Sequence, residues 1–352
     1  MIEFVTNFLL FVGAATTGLL CLALIFLGLR KLRKRRIPKG VVLTLDLDQG
    51  VAETPPSSPL AKLRGGSSPV LLQVVQAIHH AAQDPRVRAL VVRLGSAPLG
   101  MSQTQEMRAA LQIFAASAKP CLAFAPSFMN TNQGARNYYL ATACTKVFLQ
   151  PSGDLGLCGM EARAFFGKAL LERIGVKAQF ETRVEYKTAM NMLLEEGLTD
   201  PHRESLESIT GSFVDQMKVG ISEGRSLHGE KVATLFEDGP YSAQEALDHK
   251  LIDAHAYEDE VFDSLRENPE ERLKTLSVMR YFQKAVKAPR SKQCVALIYG
   301  VGPVVDGESG HSFMYRGSSM GDKTLTRAFR AAAKDEEVAA IVFRVDSPVK
   351  TD

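Results

Sequence analysis

One pattern occurs twice in this chain. DPRVRALVVRLGS occupies residues 84–96 and DEEVAAIVFRVDS residues 335–347, with Asp, Val, Ala, Val, Arg and Ser coinciding in register. The apolar run in each is short, β-branched and without polar alternation, as in a parallel strand buried on both faces. An Ala-rich helical segment precedes each copy (QAIHHAAQ and RAFRAAAK), and VVLTL at 41–45 and VALIY at 295–299 read as the matching first strands. So long a period implies two related domains rather than a solenoid, whose repeats recur every ~20–50 residues. The second copy spans only about 60 residues, too few for a self-sufficient core. Its strand at 339–345 is therefore expected to lie uncovered, an aggregation hazard.

Between the copies, strands alternate with helices, which implies βαβ units, an α/β class and a mostly parallel sheet. The pattern predicts strands at 41–47, 89–94 and 120–126, helices at 70–83 and 103–117, and a breaker-rich loop over 49–69. Residues 137–151 read as a short helix running into a strand, 162–175 as a helix, 177–183 as a strand and 188–224 as longer helices. YSAQEALDHKLID (241–253) reads as a helix capped by its serine, and the charged stretch 264–293 as a solvated helix with frayed ends that links the two copies. The expected division is a membrane anchor and basic flank (1–39), a first repeat (40–263), the linker (264–293) and an incomplete second repeat (294–352).

Residues 4–29 contain no charged side chain, enough for a helix to cross the ~30 Å hydrocarbon core. The residues before it, Met1-Ile2-Glu3, lack the basic character of a cleavable leader. Arg30, Lys31, Arg33, Lys34, Arg35, Arg36 and Lys39 follow the run, and the positive-inside rule would hold that flank in the cytoplasm. The net charge of +3 owes much to this cluster, and no interleaving of basic and aromatic residues indicates nucleic acid. Cys21, Cys121, Cys144, Cys158 and Cys294 are scattered without zinc or disulfide spacing, and His79-His80, His249 and His255 do not fit metal-ligand spacing. Neither metal nor cofactor is expected.

Several strings in order now resemble one family, signal peptide peptidase A in its long, duplicated form (protease IV, peptidase family S49). They are NYYLATACTKVFLQPSGDLGLCGM, LLERIGVKAQFETRVEYKTAMN, GPYSAQEALDHKLID, VALIYGVGPVVDGE and VAAIVFRVDSP, within about residues 40–347. The resemblance implies a Clp-protease/crotonase-like fold in each repeat and assembly into rings. It also implies an extracytoplasmic soluble part on the inner membrane, against the indication of the basic flank. The implied catalytic device is a Ser/Lys dyad acting on signal peptides or other apolar peptides. Lys187 in VEYKTAMN matches the general base.

The serine should end a DSPGGS turn in the second repeat. Here Arg344-Val345-Asp346-Ser347-Pro348 begins that turn correctly, but Val349 and Lys350 replace the glycines and Thr351 stands at the nucleophile position. Val and Lys restrict a backbone that Gly would leave free to form an oxyanion hole. The nucleophile is thus expected to be absent, as though the chain stops short of it. The first copy's turn, Ser96-Ala97-Pro98-Leu99-Gly100, lacks the pattern too.

A lysine base must be neutral, and a free lysine, with a pKa of about 10.4, is under ~0.1% neutral at pH 7. Dry walls lower that value, and Tyr186, Ala189 and Met190 are the expected walls. Gly317-Ser318-Ser319-Met320-Gly321 fits G-x-S-x-G but reads as a flexible loop before a helix. Two readings stay open: a membrane-anchored serine endopeptidase, and a non-catalytic peptide-binding or oligomerisation module.

Overall fold

The computed structural model describes residues 37–55, 68–129, 133–181, 183–286, 291–312 and 317–347. The first repeat contains β1 (Val41–Asp46), α1 (Leu71–Gln83), β2 (Val87–Arg93), α2 (Met101–Ala115), β3 (Cys121–Ala125), α3 (Gly134–Ala141), β4 (Lys146–Leu149) and β5 (Asp154–Leu155). Next come α4 (Lys168–Arg173), α5 (Asn191–Leu194), α6 (Asp200–Arg225), α7 (Gly229–Asp238), β6 (Tyr241–Ser242), α8 (Ala243–Asp248), β7 (Ala254–His255) and α9 (Glu258–Asp263). β8 (Lys274–Ser277) and α10 (Val278–Ala285) follow. The central sheet has six parallel strands in the order β7-β4-β3-β2-β1-β8.

Both faces of that sheet are covered, which explains its continuous apolar runs. Val41, Leu43, Leu45, Leu90 and Val92 join one core with α1, α2 and α3. Val42, Ala89, Val91, Leu122 and Phe124 join a second core against Val261 of α9 and Leu265. Arg108 on α2 is buried and makes no ion pair among the described residues. Its guanidinium donates instead to the carbonyls of Tyr139 and Gly220 and to Thr142 Oγ1, tying α2, α3 and α6 together.

The duplicated aspartate has a structural reason. Asp84 Oδ1 accepts from the Arg86 N–H at 2.9 Å, and Asp335 Oδ1 from the Glu337 N–H at 3.0 Å. Each residue ends a 13-residue helix with φ −82 and turns the chain into a strand. In the second copy the helix is α11 (Asp322–Lys334) and the strands are β9 (Cys294–Val301) and β13 (Val338–Asp346), paired in parallel like β1 and β2. Between them lie β10 (Val304–Val305), β11 (Gly310–Ser312) and β12 (Gly317–Gly321). Ile341, Val342, Phe343 and Val345 of β13 are exposed.

Several expectations are corrected. Residues 264–293 do not form a purely solvated linker: β8 adds to the sheet edge beside β1, and α10 packs on α1 with Tyr281 fully buried. Tyr281 Oη donates to Asp84 Oδ2 at 2.7 Å and lies 2.7 Å from His80 Nδ1. The 162–175 helix shrinks to α4, and residues 177–181 form no strand. Within 188–224 the helices are α5 and most of α6. The 241–253 helix is only α8, opened by the expected serine cap: the Glu245 N–H donates to Ser242 Oγ at 3.3 Å.

G-x-S-x-G is not a loop: it is strand β12, and Ser319 Oγ donates to the Gly310 carbonyl of the neighbouring β11 at 3.2 Å. The expected membrane segment at 4–29 lies outside the described residues, and among those described no helix is long and apolar enough to cross a membrane.

Asp84 is held well below the usual carboxylate range, chiefly by Arg86 and also by Tyr281, which outweigh the cost of its burial. Because the folded value is depressed, the contribution is present above about pH 4 and lost as pH falls below that. Asp84→Asn is expected to lower stability at pH 7 and to flatten the acid limb of unfolding free energy against pH. Denaturant titrations between pH 7 and pH 2.5 check this; an unchanged acid limb would remove Asp84 from the argument.

Candidate active site

The second-repeat strand that leads to the expected nucleophile turn is docked onto the first repeat by one arginine. Arg344 Nε donates to Glu53 Oε2 at 2.7 Å, and its Nη1 lies 2.8 Å from Glu106 Oε2. Gln103 Nε2 adds a hydrogen bond to Glu53 Oε1 at 2.8 Å. The Glu53 side chain is only 7% exposed. Burial raises its pKa, but the bonds from Arg344 and Gln103 outweigh that and leave the carboxyl below its ordinary range. Two residues on, Asp346 is pushed up by burial first and by the Glu53 charge second. The end of β13 thus lies against the loop after β1 and the start of α2, at the carboxyl end of the first-repeat sheet, where α/β proteins commonly place their sites.

Arg344→Gln is expected to leave Glu53 without its cation and to free β13. Hydrogen exchange at residues 338–346 should accelerate by about tenfold or more, since leaving a buried charge unpaired costs well above 1.4 kcal/mol. Protection across β1–β4 should hold. Unchanged exchange in β13 would show that the arginine does not dock the strand.

Arg93 occupies the same position of the first copy and also takes two carboxylates, Asp48 at 3.2 Å and Glu258 at 2.8 Å. Asp48 Oδ1 accepts from the N–H groups of Gly95 at 2.7 Å and Ser96 at 2.8 Å. The two backbone donors at the end of this strand are therefore occupied, which gives the first repeat's lack of a nucleophile turn a physical counterpart.

Lys187 lies in an arm over residues 159–199 that carries α4 and α5, neither of which buries a residue. The lysine is exposed, and its backbone N–H donates to the Val184 carbonyl at 3.1 Å. The expected dry walls are not built by this chain: Tyr186 is 52% exposed and its Oη donates to Glu204 at 2.6 Å, while Ala189 is exposed. Glu204 raises the Tyr186 hydroxyl's pKa above its ordinary value. Pro348, Val349, Lys350 and Thr351 lie outside the described residues. Among the described residues no hydrogen bond or ion pair joins 183–190 to the second repeat.

No three His, Cys, Asp or Glu side chains among the described residues gather as a metal site. Cys121 and Cys144, distant in sequence, bring their Sγ atoms within 3.3 Å in the core. Their mutual hydrogen bond, then burial, pushes the Cys121 thiol up, so it stays protonated. Sequence spacing concealed this pair because adjacency of β3 and β4 creates it. It also concealed the Arg344 clamp, although an arginine repeated in both copies was a usable signal.

The model of peptidase family S49 matches residues 114–272, from the end of α2 to the residues before β8 and across Lys187. Over that segment, the chain is similar to peptidase family S49. Among curated relatives, it is 24% identical to "Serine protease SPPA, chloroplastic" of Arabidopsis thaliana over 321 residues, 89% of this chain and 46% of that protein. It is 27% identical to "Protease 4" of Salmonella typhi over 293 residues, 79% of this chain and 45% of that protein. The chain thus spans about half the length of these curated relatives. A solved structure, the "1510-N membrane-bound stomatin-specific protease S97A mutant", is similar over 68% of this chain and 97% of its own, with a TM-score of 0.36 and 11% identity.

Proposed function

We propose that this chain is the base-bearing part of a membrane-anchored serine endopeptidase of the Ser/Lys dyad type, acting on signal peptides or other apolar peptides. The observation that carries the reading is the S49 match spanning the segment that holds Lys187. The repeats have the crotonase-like form, and the hydroxyl comes from a second-repeat turn positioned by the Arg344 clamp. A lysine in that pair takes the hydroxyl proton as the oxygen attacks the peptide carbonyl, and must be neutral to do so.

The arm gives a reason for assembly. Phe165 is 81% exposed, Leu170 66%, Ile174 66% and Tyr186 52%, four large side chains exposed on one arm. Cover by further copies of the chain would bury this surface and dry Lys187 together. Residues 4–29 serve as the anchor, with the soluble part on the extracytoplasmic side.

The second reading, a non-catalytic module, is favoured by Val349 and Lys350 where the turn needs glycines. A fluorophosphonate probe on the purified chain, and on any longer polypeptide from the same reading frame, separates the two. Labelling that is lost when Lys187 is replaced supports the peptidase; no labelling of any form supports the module.

A further inference from the structure

A cleft of about 380 Å³ opens at the start of α3, within the ~300–1,000 Å³ range of small-ligand sites. Its floor is apolar: Phe128 and Met217 are buried, and Met129 and Met160 complete the walls. Arg136 also lines it. This arginine is half-buried, its Nε is fully buried without a hydrogen-bond partner, and no ion pair holds it among the described residues. Burial with no compensating charge lowers its pKa from the ordinary arginine value. Glu161, the carboxylate in the lining, is taken by Arg163 through bonds of 2.8 and 2.9 Å.

An arginine desolvated without a partner is costly, and the cost is recovered when an anion arrives. Backbone chemistry narrows the choice of anion. β5 ends at Leu155, and from Cys158 to Phe166 no main-chain N–H makes a hydrogen bond to backbone or side chain among the described residues. Cys158, Met160 and Glu161 of this bare stretch lie on the cleft. It therefore offers an unpaired main chain along one side, a cation at one end, and methionines that adapt to varied apolar side chains.

We infer that this cleft is a binding site for the free C-terminus of an apolar peptide. The carboxylate pairs with Arg136, the peptide main chain pairs with the stretch after β5, and the terminal side chain lies among Met129, Met160 and Met217. The cleft shares with Lys187 the arm that begins at residue 159. Its test reads equilibrium binding rather than hydrolysis, so failure of the peptidase reading would leave it standing.

The probes are an acetyl-capped Ala-Leu-Ala-Leu peptide as free acid, the same peptide as C-terminal amide, and laurate. Each is titrated by calorimetry into the unaltered chain and into Arg136→Gln, with folding of the variant checked by circular dichroism. The acid is expected to bind about tenfold or more tightly than the amide, the margin of a hydrogen bond to a charged group. Arg136→Gln should abolish that preference. Equal binding of acid and amide to the unaltered chain, or no binding of either, overturns the proposal, and this comparison needs no variant. Laurate binding as tightly as the peptide acid, in competition with it, also overturns it, since an apolar acid would then suffice without a main chain.

Discussion

Lys187→Met is expected to lower peptide hydrolysis by about 10²–10⁴-fold in any polypeptide that pairs this lysine with its hydroxyl, the usual contribution of a positioned general base. Stability of the chain itself should stay within about 0.5 kcal/mol, because Lys187 is exposed and its side chain makes no hydrogen bond or ion pair among the described residues. Lys187→Arg should be as inactive as the methionine variant, since a guanidinium keeps its proton in proteins. Progress curves on a fluorogenic apolar peptide, run with thermal unfolding of each variant, make the check. Hydrolysis undiminished in Lys187→Met would remove the lysine from the mechanism, and activity in the arginine variant alone would reduce it to a positive charge.

Gly134→Ala should destabilise the first repeat by roughly 3 kcal/mol or more, at the upper end of what overpacking costs. Gly134 opens α3, and a Cβ there would stand 1.8 Å from the carbonyl oxygen of Phe128. That neighbour is backbone and cannot rotate away. Phe128 is fully buried, with its ring edge-on to Tyr138 at 5.6 Å, and Tyr138 Oη donates to the Leu251 carbonyl at 2.6 Å. A shift of Phe128 therefore reaches the connection between α8 and β7. Gly211→Ala is the contrasting case: it lies exposed inside α6 with nothing within 4 Å of a new Cβ. It should stabilise by up to about 1 kcal/mol, the helix-propensity difference between Gly and Ala. Thermal unfolding of the two variants side by side is the measurement. Similar midpoints would mean that the close approach of α3 to Phe128 is not required.

Sequence and structure part company where local pattern depends on partners. The segment 177–183 has the composition of a strand, yet 177–181 pair with nothing, because a strand needs a neighbour to satisfy its main chain. The segment 274–285 is charged enough to read as solvated. It nevertheless supplies edge strand β8 and helix α10, since a four-residue edge strand needs little apolar surface and the helix buries Val278 and Tyr281 in the core, with Tyr281 also bonded to Asp84. The Lys187 position was legible as a motif within an ordered run of motifs. Its surroundings were not, because the side chains nearest in sequence are those that face solvent in the folded chain.

The duplication itself was decided by sequence. α1 and α11 have the same length, Asp84 and Asp335 make the same turn, and β1–β2 and β9–β13 pair in the same sense. These features rest on hydrogen bonds between near neighbours and on residue preferences, which travel with the local string. What the tertiary structure alone decided is burial. Val91 of β2 is 4% exposed and its counterpart Val342 of β13 is 50% exposed. Both belong to strings that agree at six of thirteen positions, but among the described residues only the first has helices packed on each face of its sheet. Removal of apolar surface from water depends on what lies opposite, and that information is held by distant parts of the chain.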